Sequence, residues 1–346
     1  MANFNIHAEK ITPRTILFWR IAQIVVWLTG VFILFNLIFR PKLGIQLFWN
    51  VLIPVAPLLL VVGVGVWRNI CPMASFALFP RHIGISKRKK ITITQTGKLN
   101  LIAVVFLLIV VPLRHAIFDT NGLATAILIL SLGAVAVTTS FFYEWKSAWC
   151  SGLCPVHPVE KLYGVKNRIS LPNAHCEACH RCVTPCPDTT PGIHPLSTEK
   201  TNSHKIAGLL IVGGFPGFIW GWFQIPDYQE ITDVTQLMNL YLLPLSGLVI
   251  TGALFLILKK FVKKQVLITV FSAASVSCYY WFRIPALFGY GIYPGDGMLI
   301  DLSGILPEWS LTLAAITTTI FFFWWVVFRR QEATRWVGRP VYADKR

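Results

Sequence analysis

The chain has 346 residues, 55% hydrophobic and 13% charged, with a mean hydropathy of +0.61. A soluble domain carries roughly a quarter charged residues, so this composition excludes one and points to lipid as the solvent. The net charge of +16 would suit nucleic acid, but the cations sit between apolar runs of membrane-spanning length, which excludes that partner and leaves membrane topology as their explanation.

Eight apolar runs approach or exceed the roughly 20 residues that cross a hydrocarbon core as a helix. They lie at 15–39, 47–67, 99–118, 122–143, 206–224, 239–258, 265–282 and 309–328. Their continuous rather than alternating apolar character selects helices over a barrel, so the predicted fold is an all-α polytopic membrane protein of about eight transmembrane helices. The first run has no small-residue cleavage site behind it and reads as a retained helix. Arg20, inside that run, is close enough to one interface to snorkel. Of the 31 Lys and Arg, 26 fall on one side of the runs and 4 on the other, with Arg20 between them. The excess of cations marks the cytoplasmic side, so both termini and the long loop from 144 to 205 are expected there, in a bacterial-type inner membrane. The chain divides into helices one to four over 1–143, a cytoplasmic segment over 144–205, helices five to eight over 206–328 and a basic tail over 329–346.

The second run ends in Trp67-Arg-Asn-Ile-Cys71-Pro72, and the fourth in Cys150-Ser-Gly-Leu-Cys154-Pro155. Aligned on Cys-Pro, they form a weak internal repeat of two helices and a turn, in which Trp67 stands where its counterpart has Cys150. The segments that follow, 73–79 and 157–163, are predicted short helices along the membrane surface. His115, near the outer end of the third run, reads as a snorkelling interfacial side chain, with a quinone or partner contact as its functional alternative.

The cytoplasmic segment then carries Cys176-Glu-Ala-Cys179-His-Arg-Cys182-Val-Thr-Pro-Cys186-Pro187, the C-x2-C-x2-C-x3-C-P spacing of bacterial ferredoxins. Short intervals let three thiolates converge from one turning loop onto three irons of a cube. Cys176-Glu-Ala-Cys179-His180 also matches the attachment pattern of c-type haem, but that haem is attached outside the membrane and would leave Cys182 and Cys186 unexplained. Seven of the eight cysteines fall on the reducing side, where metal ligation is favoured over disulfides. The eighth, Cys278, lies inside the seventh run and reads as a small apolar side chain.

A helix ending in C-x3-C-P, followed by a cytoplasmic ferredoxin loop, resembles the NapH and NosR group of membrane ferredoxin-type proteins. The resemblance covers roughly 47–190 and rests on Cys150, Cys154, Cys176, Cys179, Cys182 and Cys186. It implies electron passage between a quinone pool or a cytoplasmic donor and an extracytoplasmic redox partner, through [4Fe-4S] clusters. Those proteins commonly have two ferredoxin runs, and this chain has one. In two-cluster ferredoxins the fourth Cys of such a run serves the other cube. Carried over, Cys176, Cys179 and Cys182 hold one cube completed by Cys71 or Cys154, and Cys186 joins Cys150 and the remaining Cys-Pro thiolate around a second. Seven thiolates are one short of two cubes, so the second needs His157, His175, His180, an acid or water, or is a three-iron form. A single cluster on the ferredoxin run is the alternative.

Downstream, Gly213-Gly214-Phe-Pro216-Gly217 in the fifth run predicts a kink, serving either packing or a ligand cleft. The outer loops 225–238 and 284–308, rich in Pro, Gly and aromatic residues, suit docking of another redox subunit. No paired carboxylates, nucleophile with base, or phosphate-cradling glycine loop stands in a suitable context, so an electron-transfer subunit is expected rather than a stand-alone enzyme. A redox-sensing or metalloenzyme-assembly protein is the rival reading. A transporter with a structural metal loop fits less well, because few ionisable residues lie within the runs.

Overall fold

The computed structural model describes residues 12–89, 91–144, 146–164, 171–172, 201–228, 233–329 and 337–338. A backbone in lipid must satisfy its own hydrogen bonds, and the described chain does so with helices. Among the described residues, eight helical segments are long and apolar enough to cross a membrane: Pro13–Phe39, Pro41–His82, Ile93–Phe118, Gly122–Phe142, Asn202–Phe223, Val234–Leu258, Lys264–Leu287 and Glu308–Phe328. We number them as spans one to eight. Each coincides with one of the predicted runs, and their starts carry local signals. The Thr12 hydroxyl accepts from the Thr15 backbone N–H at 3.3 Å, with Pro13 in the first turn. Thr92 and Gln95 form a reciprocal capping box ahead of span three, and the Asn121 side chain caps span four.

Span two runs longer than the apolar pattern because three short pieces adjoin its core helix, Ile53–Ile70. Pro41–Ile45 and a wide turn, Gln46–Leu52, precede it, and Pro72–His82 follows a break at Cys71. Further wide turns, in which an N–H bonds five residues back, close at Asp119 onto Arg114 and at Cys154 onto Trp149. Such widened turns often sit at functional positions, and these two lie beside the polar clusters described below.

Spans five and seven are the most enclosed; spans one, four, six and eight present large apolar side chains outward, as lipid-facing helices do. The glycines of span five are a packing device, not a cleft. Gly213, Gly217 and Gly221 recur at four-residue intervals on one face, and a Cβ on Gly217 would run into the carbonyl oxygen of Gly247 in span six. One on Gly221 would meet the Leu243 carbonyl. Small residues therefore let the two backbones touch. The Thr251 hydroxyl, from span six, donates to the Gly214 carbonyl at 3.1 Å in the same seam.

Both Cys-Pro turns lead into short helices, Pro72–His82 and Val156–Tyr163. The second does not lie along the surface as expected. Leu162 and Tyr163 are buried in the main core, and Ser272 of span seven donates to the Leu162 carbonyl at 2.7 Å. Its polar residues find partners inside the bundle, which removes the reason to stay at an interface. Strand-like contacts tie 87–89 to 141–144, and an Arg81–Glu144 ion pair of 3.2 Å joins the same segments. Leu171–Pro172 pairs in parallel with Val337–Gly338.

Candidate functional site

Cys71 is the hinge between the core helix of span two and Pro72–His82. Proline has no N–H to lose, so it starts the new helix, while the N–H groups of Ala74 and Ser75 bond back to the Cys71 carbonyl. Cys150 lies in the wide turn Lys146–Leu153, and Cys154 ends it, its carbonyl accepting from the His157 N–H at 3.2 Å. The three cysteines, with Arg68, Ala74, Trp149 and Glu160, line one narrow cavity. They come from two separate helix ends, which the repeat anticipated. Burial, and next the Glu160 carboxylate, push the Cys154 thiol up to about 12. At neutral pH that sulfur keeps its proton unless a metal displaces it.

A buried acid–base network forms one wall of this cavity. Arg68 Nη2 lies 2.5 Å from Glu160 Oε2 and 2.6 Å from His157 Nδ1. The Trp67 indole N–H donates to Glu160 Oε1 at 2.5 Å. The same His157 Nδ1 also lies 3.1 Å from Glu160 Oε2, so the imidazole, the guanidinium and the carboxylate form one cluster. Burial holds His157 down to about 4. Burial opposes ionisation of Glu160 as well, but Arg68, with His157 and Trp67, outweighs it and holds the carboxyl below its usual range. Trp67, the odd residue in the repeat, thus orients an acid.

The opposite end of the bundle holds a second polar cavity, lined by the ends of spans three, five and seven and by residues of the loops that follow spans five and seven. Arg114 Nε meets Asp119 Oδ2 at 2.7 Å, and its guanidinium lies over the rings of Trp49 and Trp222. Arg283 Nη2 donates to Asn50 Oδ1 at 2.6 Å and to the Trp49 carbonyl at 3.0 Å. His115 is not the snorkelling side chain expected. It is 6% exposed, with Nδ1 2.5 Å from Asp227 Oδ1 and Nε2 3.0 Å from the Trp222 carbonyl. Both ring nitrogens face protein oxygen atoms. The Asp227 N–H donates to Asp296 Oδ2 at 2.7 Å, which ties the loops after spans five and seven together. Asp119 Oδ1 and Arg283 Nε are buried without a hydrogen-bond partner among the described residues.

Of the expected ligands, Cys71, Cys150 and Cys154 are brought together. Cys176, Cys179, Cys182 and Cys186, with His175 and His180, lie outside the described residues. Cys278 packs against the main core, as an apolar side chain does. Among the described residues no group of three or more His, Cys, Asp or Glu is placed to grip a single metal ion. The donor set around the cysteine cavity is nonetheless one that suits an iron–sulfur group: soft sulfur atoms, a carboxylate, and a buried guanidinium to offset negative charge. Sequence reading missed the Arg68–Glu160 pair and the Arg114, Asp119, Asp227, Arg283 and Asp296 cluster. The signal was there in charges abutting apolar runs, since buried charges require partners. Compared with known proteins, the chain matches no family model, no curated protein and no solved structure.

Proposed function

We propose that the chain is an integral membrane electron-transfer subunit whose [4Fe-4S] clusters, two in number, pass electrons between a quinone pool or cytoplasmic donor and a partner redox protein. The observation that carries this reading is the meeting of Cys71, Cys150 and Cys154, from two distant helix ends, around one cavity. In the sequence the ferredoxin run of Cys176, Cys179, Cys182 and Cys186 follows Cys154 closely, and the resemblance to the NapH and NosR group rests on the same residues. The distribution of Lys and Arg supports a cytoplasmic location for this end.

Bound there, such a group accepts and releases one electron at a time. The chain's own residues prepare the place: Pro72 and Pro155 turn the backbone at the two cysteine corners, and Trp149 with Ala74 closes the cavity. Arg68 sets a fixed positive charge beside the thiols, a lever that raises a cluster's potential. The test is electron paramagnetic resonance of the purified, dithionite-reduced protein, with iron and acid-labile sulfide quantified. Cubane signals that disappear in Cys179→Ser or Cys182→Ser, with helicity intact, support the ligand set; unchanged signals refute it. A signal that is reduced but never reoxidised by quinone or a redox partner would turn the reading toward redox sensing.

A further inference from the structure

We infer that the turn between spans six and seven is a binding site for an anionic phospholipid, with Lys259, Lys260 and Lys263 holding the phosphate and Phe261 set among the acyl chains. Span six ends at Leu258 and span seven begins at Lys264, so the turn reads Lys-Lys-Phe-Val-Lys and runs on into a fourth lysine. Lys259, Lys260 and Lys263 are exposed and make no ion pair among the described residues. No acid occurs anywhere from 234 to 295, so neither span joined by the turn supplies a counter-charge. Arg68 and Arg81, which the alternation of spans places at the same end, are by contrast bound to Glu160 and Glu144.

Membrane topology needs only the count of these charges and has no use for the phenylalanine among them. Phe261 is 79% exposed, the most exposed of the large apolar side chains described. The backbone holds it there, since the Phe261 and Val262 N–H groups both donate to the Leu258 carbonyl, at 3.0 and 2.9 Å, in a turn that leaves the ring uncovered. Leu256 and Ile257 at the end of span six and Val266 at the start of span seven are exposed as well, so the patch continues the lipid-facing side of the bundle. Lysines beside exposed apolar side chains match the chemistry of an interface, where apolar groups enter the acyl boundary and the ammonium groups reach the phosphate layer on their flexible stems. An acidic soluble protein would satisfy the lysines alone. A phospholipid carrying net negative charge satisfies both halves of the patch, because it presents a phosphate and acyl chains in one molecule.

The test is native mass spectrometry of the delipidated full chain in detergent, titrated with phosphatidylglycerol and with phosphatidylcholine of the same acyl chains. Wild-type protein should hold phosphatidylglycerol more tightly, and each of Lys259→Gln, Lys260→Gln and Lys263→Gln should weaken that binding roughly fivefold while leaving phosphatidylcholine unchanged. Phe261→Ser should weaken both lipids, an effect that a role in topology alone would not produce. Lys87→Gln combined with Lys89→Gln, an equivalent loss of charge elsewhere, should leave the tightest-bound phosphatidylglycerol in place. All these side chains are exposed, so the variants should keep the helicity of the wild type, which circular dichroism verifies. Equal binding of the two lipids by the wild type would overturn the proposal and turn the patch toward an acidic protein partner. So would a preference for phosphatidylglycerol that survives loss of all three lysines, or lipid binding indifferent to Phe261→Ser. Displacement of the lipid by an equal concentration of glycerol 3-phosphate would mark a site for free phosphate and overturn the lipid assignment. Iron content enters none of these readouts, so the outcome is independent of the electron-transfer reading.

Discussion

At the cysteine end of the bundle one guanidinium, Arg68, serves an acid and an imidazole beside three thiols. At the opposite end two guanidiniums, Arg114 and Arg283, stand among Asp119, Asp227 and Asp296, and no sulfur lines that cavity. The second network spends most of its donors on protein acceptors and so fastens spans three, five and seven to the loops between them. The first lines its cavity with three sulfur atoms. Buried charge alone thus marks architecture as readily as chemistry, and the distinguishing feature is the soft sulfur in one lining and its absence from the other.

The sharpest way to break this contrast is to exchange the loss between the ends. Cys150→Ser or Cys154→Ser should remove at least half of the bound iron from folded protein, while Asp227→Asn should leave iron and sulfide unchanged, as read by metal analysis and paramagnetic resonance. Next in size, Arg283→Met should cost about 1–3 kcal/mol by leaving the buried Asn50 Oδ1 and Trp49 carbonyl without their donor. It should appear as a large fall in Tm in detergent with the same iron content per folded molecule.

A smaller, pH-dependent effect separates the ends further. His157 is held down from an ordinary 6.5 to about 4, so the folded state binds fewer protons there than the unfolded chain. Its contribution to stability is full above 6.5 and is lost as pH falls toward 4. Asp119 and Asp296, at the other end, are pushed upward, first by burial, so their protonation on acidification favours the folded state. Acidifying from pH 7 to 5 should therefore lower Tm more in wild type than in His157→Gln, whose amide does not titrate; equal losses would contradict the assignment of His157 as neutral and buried. The smallest effect is expected at Cys278, where Cys278→Ala should leave the iron content unchanged and shift stability by about 1 kcal/mol or less.

Much of the fold was legible because lipid imposes a simple rule on the backbone. Runs such as 99–118 and 122–143 mark their helices by length and apolarity alone, whereas the caps at Thr92, Asn121 and Thr201 came only with the structure. The helix breaks at Cys71 and Cys154 were legible in the Cys-Pro pairs. The glycine-rich stretch of span five was legible as special but not in its purpose, because a kink and a close helix contact use the same residues, and only the position of Gly247 decides between them.

What the sequence determined by itself is therefore local and one-dimensional: eight apolar lengths, their alternating charge, the ferredoxin spacing, and the cysteines that end two helices. Only the tertiary structure decided which polar groups meet. Trp67 and Glu160 are 93 residues apart, and His115 and Asp227 are 112 apart, so no periodicity connects them. Their pairing follows from the packing of helices around a shared core, where a buried charge is stable only if the fold delivers its partner.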